Sequence, residues 1–115
     1  MDLYSVMCVS DLARSLAWYR EVFFGREADE VIGEEHLWRV GDNAYLVIDA
    51  RAVRAARVGG SMVTFGVSGA ELAEALARCA SHDVAHGPVE TYSNGVQHVE
   101  VLDPDGNSLS LAAVP

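Results

Sequence analysis

Near the C-terminus, QHVEVLDPDGNSLSLAAV (97–114) sets His98 and Glu100 two positions apart, and Ser108 and Ser110 two apart beyond a turn. Imidazole, carboxylate and hydroxyl groups so spaced can exchange protons with a substrate, hydrogen-bond a polar ligand or help to hold an ion. His98 and Glu100 are the candidate acid–base pair. The residues interleaved with them, Val99, Val101, Leu109 and Leu111, are apolar, so both runs alternate with a period of two. That pattern predicts a hairpin with one apolar and one polar face. Asp103-Pro104-Asp105-Gly106-Asn107 makes its turn: Pro fixes φ, Gly tolerates positive φ, and the Asp and Asn side chains bond the local backbone.

The elements that position these groups follow from the rest of the chain. Residues 3–9 (LYSVMCV) are rich in strand formers, and Ser10-Asp11 can cap a helix. Leu12, Leu16, Tyr19, Val22 and Phe23 recur at helical spacing before Gly25. Extended runs come next at 28–32, 36–40 and 44–49, the last two joined by Gly41-Asp42-Asn43. Residues 51–60 carry Arg51, Arg54 and Arg57 at three-residue spacing and end in paired glycines, a linker with room for one helical turn.

The order of events then repeats. A strand at 61–67 leads into a Ser68/Glu71 capping box and a helix with Leu72, Leu76 and Cys79 on one stripe. A strand within 84–92 and the C-terminal hairpin complete the second half. Val9-Ser10 recurs as Val67-Ser68, and GDN and DGN turns close matching hairpins. The fold class predicted is α+β: two tandem β-α-β-β-β modules, at about 1–50 and 61–115, in a single domain. One helix covers only one face of each small sheet, so the other is buried against its twin or lines a hollow.

Bulk properties narrow the partners. The 115 residues suit one domain, and a hydrophobic share of 50% is enough for a core without staples. Eight Arg and no Lys stand against 17 acidic residues, a net charge of −9 that argues against nucleic acid and anionic membranes and favours neutral or cationic partners. Cys8 and Cys79 show no CxxC spacing and read as small buried hydrophobes in a reducing compartment. The first residues lack the charged-then-apolar pattern of a secretion signal, and no apolar run approaches the roughly 18 residues of a membrane span. A cytoplasmic protein is expected.

The chain resembles the vicinal oxygen chelate superfamily, the group of glyoxalases, bleomycin-resistance proteins and extradiol dioxygenases. The resemblance rests on Val9-Ser10-Asp11-Leu12 with Ser15 and Trp18-Tyr19 ahead of Phe24-Gly25, on Val67-Ser68 opening the second helix, and on the DPDGN turn. It implies a curved, barrel-like sheet with helices outside, a small-molecule site in the concavity, and a homodimer. In the metalloenzymes of the group it also implies four divalent-metal ligands, one on the first and one on the last strand of each module. Here these positions fall on Tyr4, Met62, Ser110 and a site near Asp49. Phenol, thioether and hydroxyl are poor ligands for such an ion, so neither a metal nor another cofactor is expected.

Strand parity turns Tyr4, Val6 and Cys8, then Tyr45, Val47 and Asp49, then Met62, Thr64 and Gly66 toward the concavity. It does the same for His98, Glu100, Ser108 and Ser110, and in the run 36–40 for His36, Trp38 and Val40. The expected ligand-binding set is Tyr4, His36, Trp38, Asp49, Met62, Tyr92, His98, Glu100 and Ser110. Trp38 also suits a core or interface position, and Glu100 a pair with an Arg such as Arg39.

Three functions follow. One is a metal-independent binding protein of the bleomycin-resistance type, taking an organic, cationic or aromatic small molecule. A second is a lyase or dioxygenase with a shifted metal site built from His36, Asp49, His98 and Glu100. The third is a metal-free acid–base isomerase or cyclase using His98 and Glu100.

Overall fold

The computed structural model describes all 115 residues. β1 (Leu3–Cys8) runs into α1 (Leu12–Trp18), whose first turn is capped by Asp11 accepting the Arg14 N–H at 3.0 Å. The helix continues as a π-helical turn, Tyr19–Phe23. β2 (Glu30–Ile32), β3 (Glu35–Gly41) and β4 (Ala44–Asp49) complete module one. After a 3-10 segment, Ala52–Arg57, module two repeats the plan with β5 (Met62–Val67), α2 (Gly69–Ser81), β6 (Glu90–Thr91), β7 (Gln97–Leu102) and β8 (Ser108–Ala113). Ser68 and Glu71 form the expected capping box on α2.

The sheets have the same topology, β1-β4-β3-β2 and β5-β8-β7-β6, with the first strand of each module parallel to its last. They are two separate four-stranded sheets and do not close into a barrel. Their helix-side residues merge into one core in which Met7, Tyr19, Phe23, Leu46 and Ile48 of module one meet Leu72, Val99, Leu109 and Leu111 of module two. Burial of each such aliphatic side chain contributes about 1.5–3 kcal/mol. No helix is long and apolar enough to cross a membrane.

Two runs differ from the sequence expectation. In 36–40 the predicted parity is reversed. A bulge between Arg39 and Gly41 inserts one residue ahead of the GDN turn, so Trp38 pairs with Leu46 and Leu37 with Val47. One extra residue exchanges the two faces of a strand. In 84–92 only Glu90 and Thr91 join the sheet. Val84 instead packs with Val22, Cys79 and Val101, its N–H bonded to the Cys79 carbonyl at 2.8 Å, and Pro88 has no N–H for a ladder.

The DPDGN turn does more than reverse the chain. Asp103 Oδ1 accepts the Asp105 and Asn107 N–H groups, and its Oδ2 accepts the Tyr19 hydroxyl at 2.8 Å. Burial, reinforced by Asp103, pushes the Tyr19 phenol far above its ordinary value. The Asn107 amide donates to the Cys8 carbonyl at 2.9 Å, and its oxygen accepts the Ser61 N–H at 2.9 Å. The end of β1, α1 and the approach to β5 are thereby tied to one turn. Gly59 in the linker lies against the same turn at φ +79°, where a Cβ would sit 2.5 Å from the Asp105 carbonyl oxygen, so only glycine fits.

Candidate functional site

The open face of module one is set by the register of β1, β4 and β3. Tyr4 lies opposite Tyr45, Val6 opposite Val47 and Cys8 opposite Asp49, with Leu37 and Arg39 continuing the face on β3. Tyr4 and Tyr45 are stacked, ring centroids 5.0 Å apart and planes within 9°, and Tyr4 is 51% exposed. Partial burial raises the Tyr4 phenol's pKa, and the nearby Asp2 carboxylate, Tyr45 phenol and Glu30 carboxylate reinforce this. The platform thus sits in a negative field.

In module two Met62, Thr64 and Gly66 lie beside Ser108, Ser110 and Ala112, which pair in turn with Leu102, Glu100 and His98. This is the polar face read from the alternation. Glu100 Oε2 accepts the Ser108 hydroxyl, and the His98 ring stacks on Tyr92 at 5.9 Å and 21°. Met62, 77% exposed, stands at the rim. On these faces Cys8, Leu37, Val47, Asp49 and Ser110 are buried, while Tyr4 and Met62 are exposed.

Several expected site residues lie elsewhere. Trp38 is a core residue on the helix side, stacked on Phe24 at 5.2 Å, its Nε1–H bonded to the Arg26 carbonyl at 3.0 Å. His36 pairs with Ile48 and shares that side of the sheet. The bulge moved both out of the concavity. Asp49 is on the open face as expected, yet fully buried in an ion pair. Arg51 grips both its oxygens, the shortest contact 2.7 Å, and Arg54 lies 3.5 Å away. These guanidinium bonds, Arg51's foremost, outweigh burial and hold its carboxyl below the usual range. The three-residue spacing of Arg51, Arg54 and Arg57 was the available signal, because a 3-10 segment has three residues per turn and aligns such positions.

The fit of a metal can be tested on the internal repeat. Met62 pairs with Ser108, and the last-strand position Ser110 lies two residues further on. Tyr4 pairs with Tyr45, so its equivalent in module one is Val47, and not a residue at Asp49. The four positions are then Tyr4, Val47, Met62 and Ser110, one of them an aliphatic residue. Within the chain no three His, Cys, Asp or Glu residues gather closely enough to hold an ion. The shifted set of His36, Asp49, His98 and Glu100 does not converge either, since His36 is behind the sheet and Asp49 is committed to Arg51. The donor set does not fit the family's metal.

A duplicated β-α-β-β-β chain with paired open faces and a DPDGN turn defines the glyoxalase class of fold. The sequence profile of the Glyoxalase/Bleomycin resistance protein/Dioxygenase superfamily matches residues 3–111, and the chain belongs to this superfamily. It is similar to a glyoxalase/bleomycin resistance protein from Catenulispora acidiphila DSM 44928, with 31% identity over 100% of this chain and 99% of that one, and a TM-score of 0.84. A lactoylglutathione lyase from Agrobacterium tumefaciens shares the fold at 24% identity, TM-score 0.74, over 98% and 92% of the two chains. The oxidase ChaP-H1 does so at 20% identity, TM-score 0.78, over 100% and 96%. No curated protein matches the sequence.

Proposed function

We propose that this chain is a metal-independent binding protein of the bleomycin-resistance type, whose ligand is a planar, cationic organic molecule held against the open sheet faces. The half-exposed Tyr4–Tyr45 stack carries this reading, because it offers a ring surface where the metalloenzymes of the family place an ion ligand. Asp2 and Glu30 beside Tyr4 add the field that favours a cation over its rings. Tyr92 stacked on His98, together with Glu100, supplies a second ring and a carboxylate. The net charge of −9 draws such a guest in. In this reading two copies pair so that the open face of one module meets that of another, covering Met62 and Tyr4.

Calorimetry with bleomycin and with acridine orange tests the proposal. Binding by either, weakened about tenfold in Tyr4→Ala and unchanged by a chelator, is the expected result. No heat from either ligand, or binding that requires an added divalent ion, refutes it. Light scattering at micromolar concentration is expected to give twice the chain mass.

A further inference from the structure

In an acidic chain the linker is an island of positive charge. None of the 17 acidic residues falls between Asp49 and Glu71, whereas Arg51, Arg54 and Arg57 all do. Arg51 holds the Asp49 carboxylate, and Arg54 reaches it only at 3.5 Å. The Arg57 side chain is exposed and has neither an ion-pair nor a hydrogen-bond partner. With three residues per turn of the 3-10 segment, Arg54 and Arg57 stand one above the other, about 6 Å apart along its axis. Both line a groove of about 440 Å³ whose other walls are residues 5–8 of β1 and residues 60–62 at the start of β5, with no acidic side chain among them. That volume falls within the roughly 300–1,000 Å³ of small-molecule sites.

The groove also exposes unpaired backbone. β1 and β5 each lie at the edge of their sheet. The Leu3 and Val9 N–H groups bond the Asn43 and Asp49 carbonyls, so by alternation Val6 and Cys8 turn their backbone groups away from β4 and toward the groove. The Ser61 carbonyl accepts the Ser108 N–H at 2.9 Å, so Met62 turns away from β8 in the same manner. Cys8 is satisfied there, its N–H by the Ser61 hydroxyl at 3.5 Å and its carbonyl by Asn107. Val6 and Met62 have no strand partner on that side, and their N–H and C=O groups are open to a ligand.

We propose that this groove binds a small hydroxylated oxyanion, a carboxylate or a phosphate. Its oxygens accept from the Arg54 and Arg57 guanidinium groups and from the Val6 and Met62 N–H groups, and its hydroxyl donates to the carbonyls of the same two residues. Bonds from guanidinium to an oxyanion are charge-assisted and about twice as strong as neutral ones. Asp49, beneath Arg54, is already held by Arg51 and offers little opposition. The site is separate from the Tyr4–Tyr45 stack, so a cationic guest there and an anion at the linker do not compete.

Amide chemical shifts of the isotope-labelled protein test the proposal. Inorganic phosphate and L-malate are the probes, each at an ionic strength held constant with sodium chloride so that screening does not change. The expected result is a saturable shift of the Val6, Cys8 and Met62 amides with at least one probe, half-complete below about 10 mM, and no such shift when chloride alone is raised. Arg57→Gln is expected to weaken binding about tenfold, and Arg57→Lys, which keeps the charge, to weaken it less. Tyr4→Ala leaves the response unchanged. No saturable shift with either probe, equal shifts with chloride, or full affinity in Arg57→Gln overturns the proposal.

Discussion

Replacing Asn107 tests how far the two modules depend on one side chain. It is fully buried, and its amide joins the Cys8 carbonyl at the end of β1 to the Ser61 N–H before β5, while also donating to Asp103 at 2.8 Å. Asn107→Ala leaves the Ser61 donor unpaired, at about 1–3 kcal/mol, and the Cys8 carbonyl with only the long 3.5 Å bond from the Gly59 N–H, at about 1 kcal/mol or more. Asp103 loses less, since it keeps the Tyr19 hydroxyl and two backbone N–H groups. A total near 3 kcal/mol is expected, which lowers the melting temperature by about 10–15 °C in a chain of this size.

Asn107→Asp is the sharper probe. It keeps the acceptor for Ser61 but turns an oxygen toward the Cys8 carbonyl and the Asp103 carboxylate. At pH 7 it is expected to lose more stability than the alanine variant. Repulsion raises the new carboxyl's folded-state pKa, so its folded state takes up a proton more readily than its unfolded state, and the deficit narrows from pH 7 downward as pH falls through that raised value. Urea unfolding followed by circular dichroism at pH 7 and pH 5 measures both. A loss under about 1 kcal/mol for Asn107→Ala, or no change in the gap with pH for Asn107→Asp, refutes the bridging argument.

Three further outcomes follow from the same structure. Trp38→Phe removes the bond to the Arg26 carbonyl and part of the core, so it is expected to cost about 2 kcal/mol in urea unfolding while leaving binding at the open face unchanged. Asp49→Asn gives up the Arg51 clamp, a loss of about 1–2 kcal/mol at pH 7. Because the Asp49 carboxyl titrates below its unfolded value, its contribution is complete above pH about 4 and is lost as pH falls through the folded pKa, so thermal melts of the variant from pH 5 to 2 should show a shallower acid decline than the parent. Ser15 has a fully buried hydroxyl without a partner; Ser15→Ala is expected to leave stability unchanged or raise it by about 1 kcal/mol, read from the melting temperature.

Much of the architecture was legible in the residue pattern because local rules and the tertiary structure agree. Alternation of His98-Val99-Glu100-Val101 assigned both faces of β7, and Ser68 and Glu71 marked the start of α2. The capping Asp11 and the GDN and DGN turns placed the remaining joints. What periodicity could not supply was the bulge ahead of Gly41, since a single unpaired residue leaves no trace in composition yet moves Trp38 and His36 behind the sheet. Asp49 and Arg51 stand only two positions apart, and the spacing of the linker arginines is the local signal for their pairing, whereas the strand parity that turns Asp49 to the open face carries no sign of it. The pair of Tyr19 and Asp103, 84 positions apart, has no local signature.

The glycine at position 59 has a consequence for how this scaffold can diversify. With its backbone pressed against the C-terminal turn, the connector between the halves is a joint of set length and not a slack tether. An added residue there would shift one half bodily against the other and pull Cys8, Ser61 and Asn107 out of reach. Under the proposed function, room for larger or smaller guests must therefore come from side-chain exchange on the exposed strands and from the loops at their far ends, where length can change without disturbing the seam.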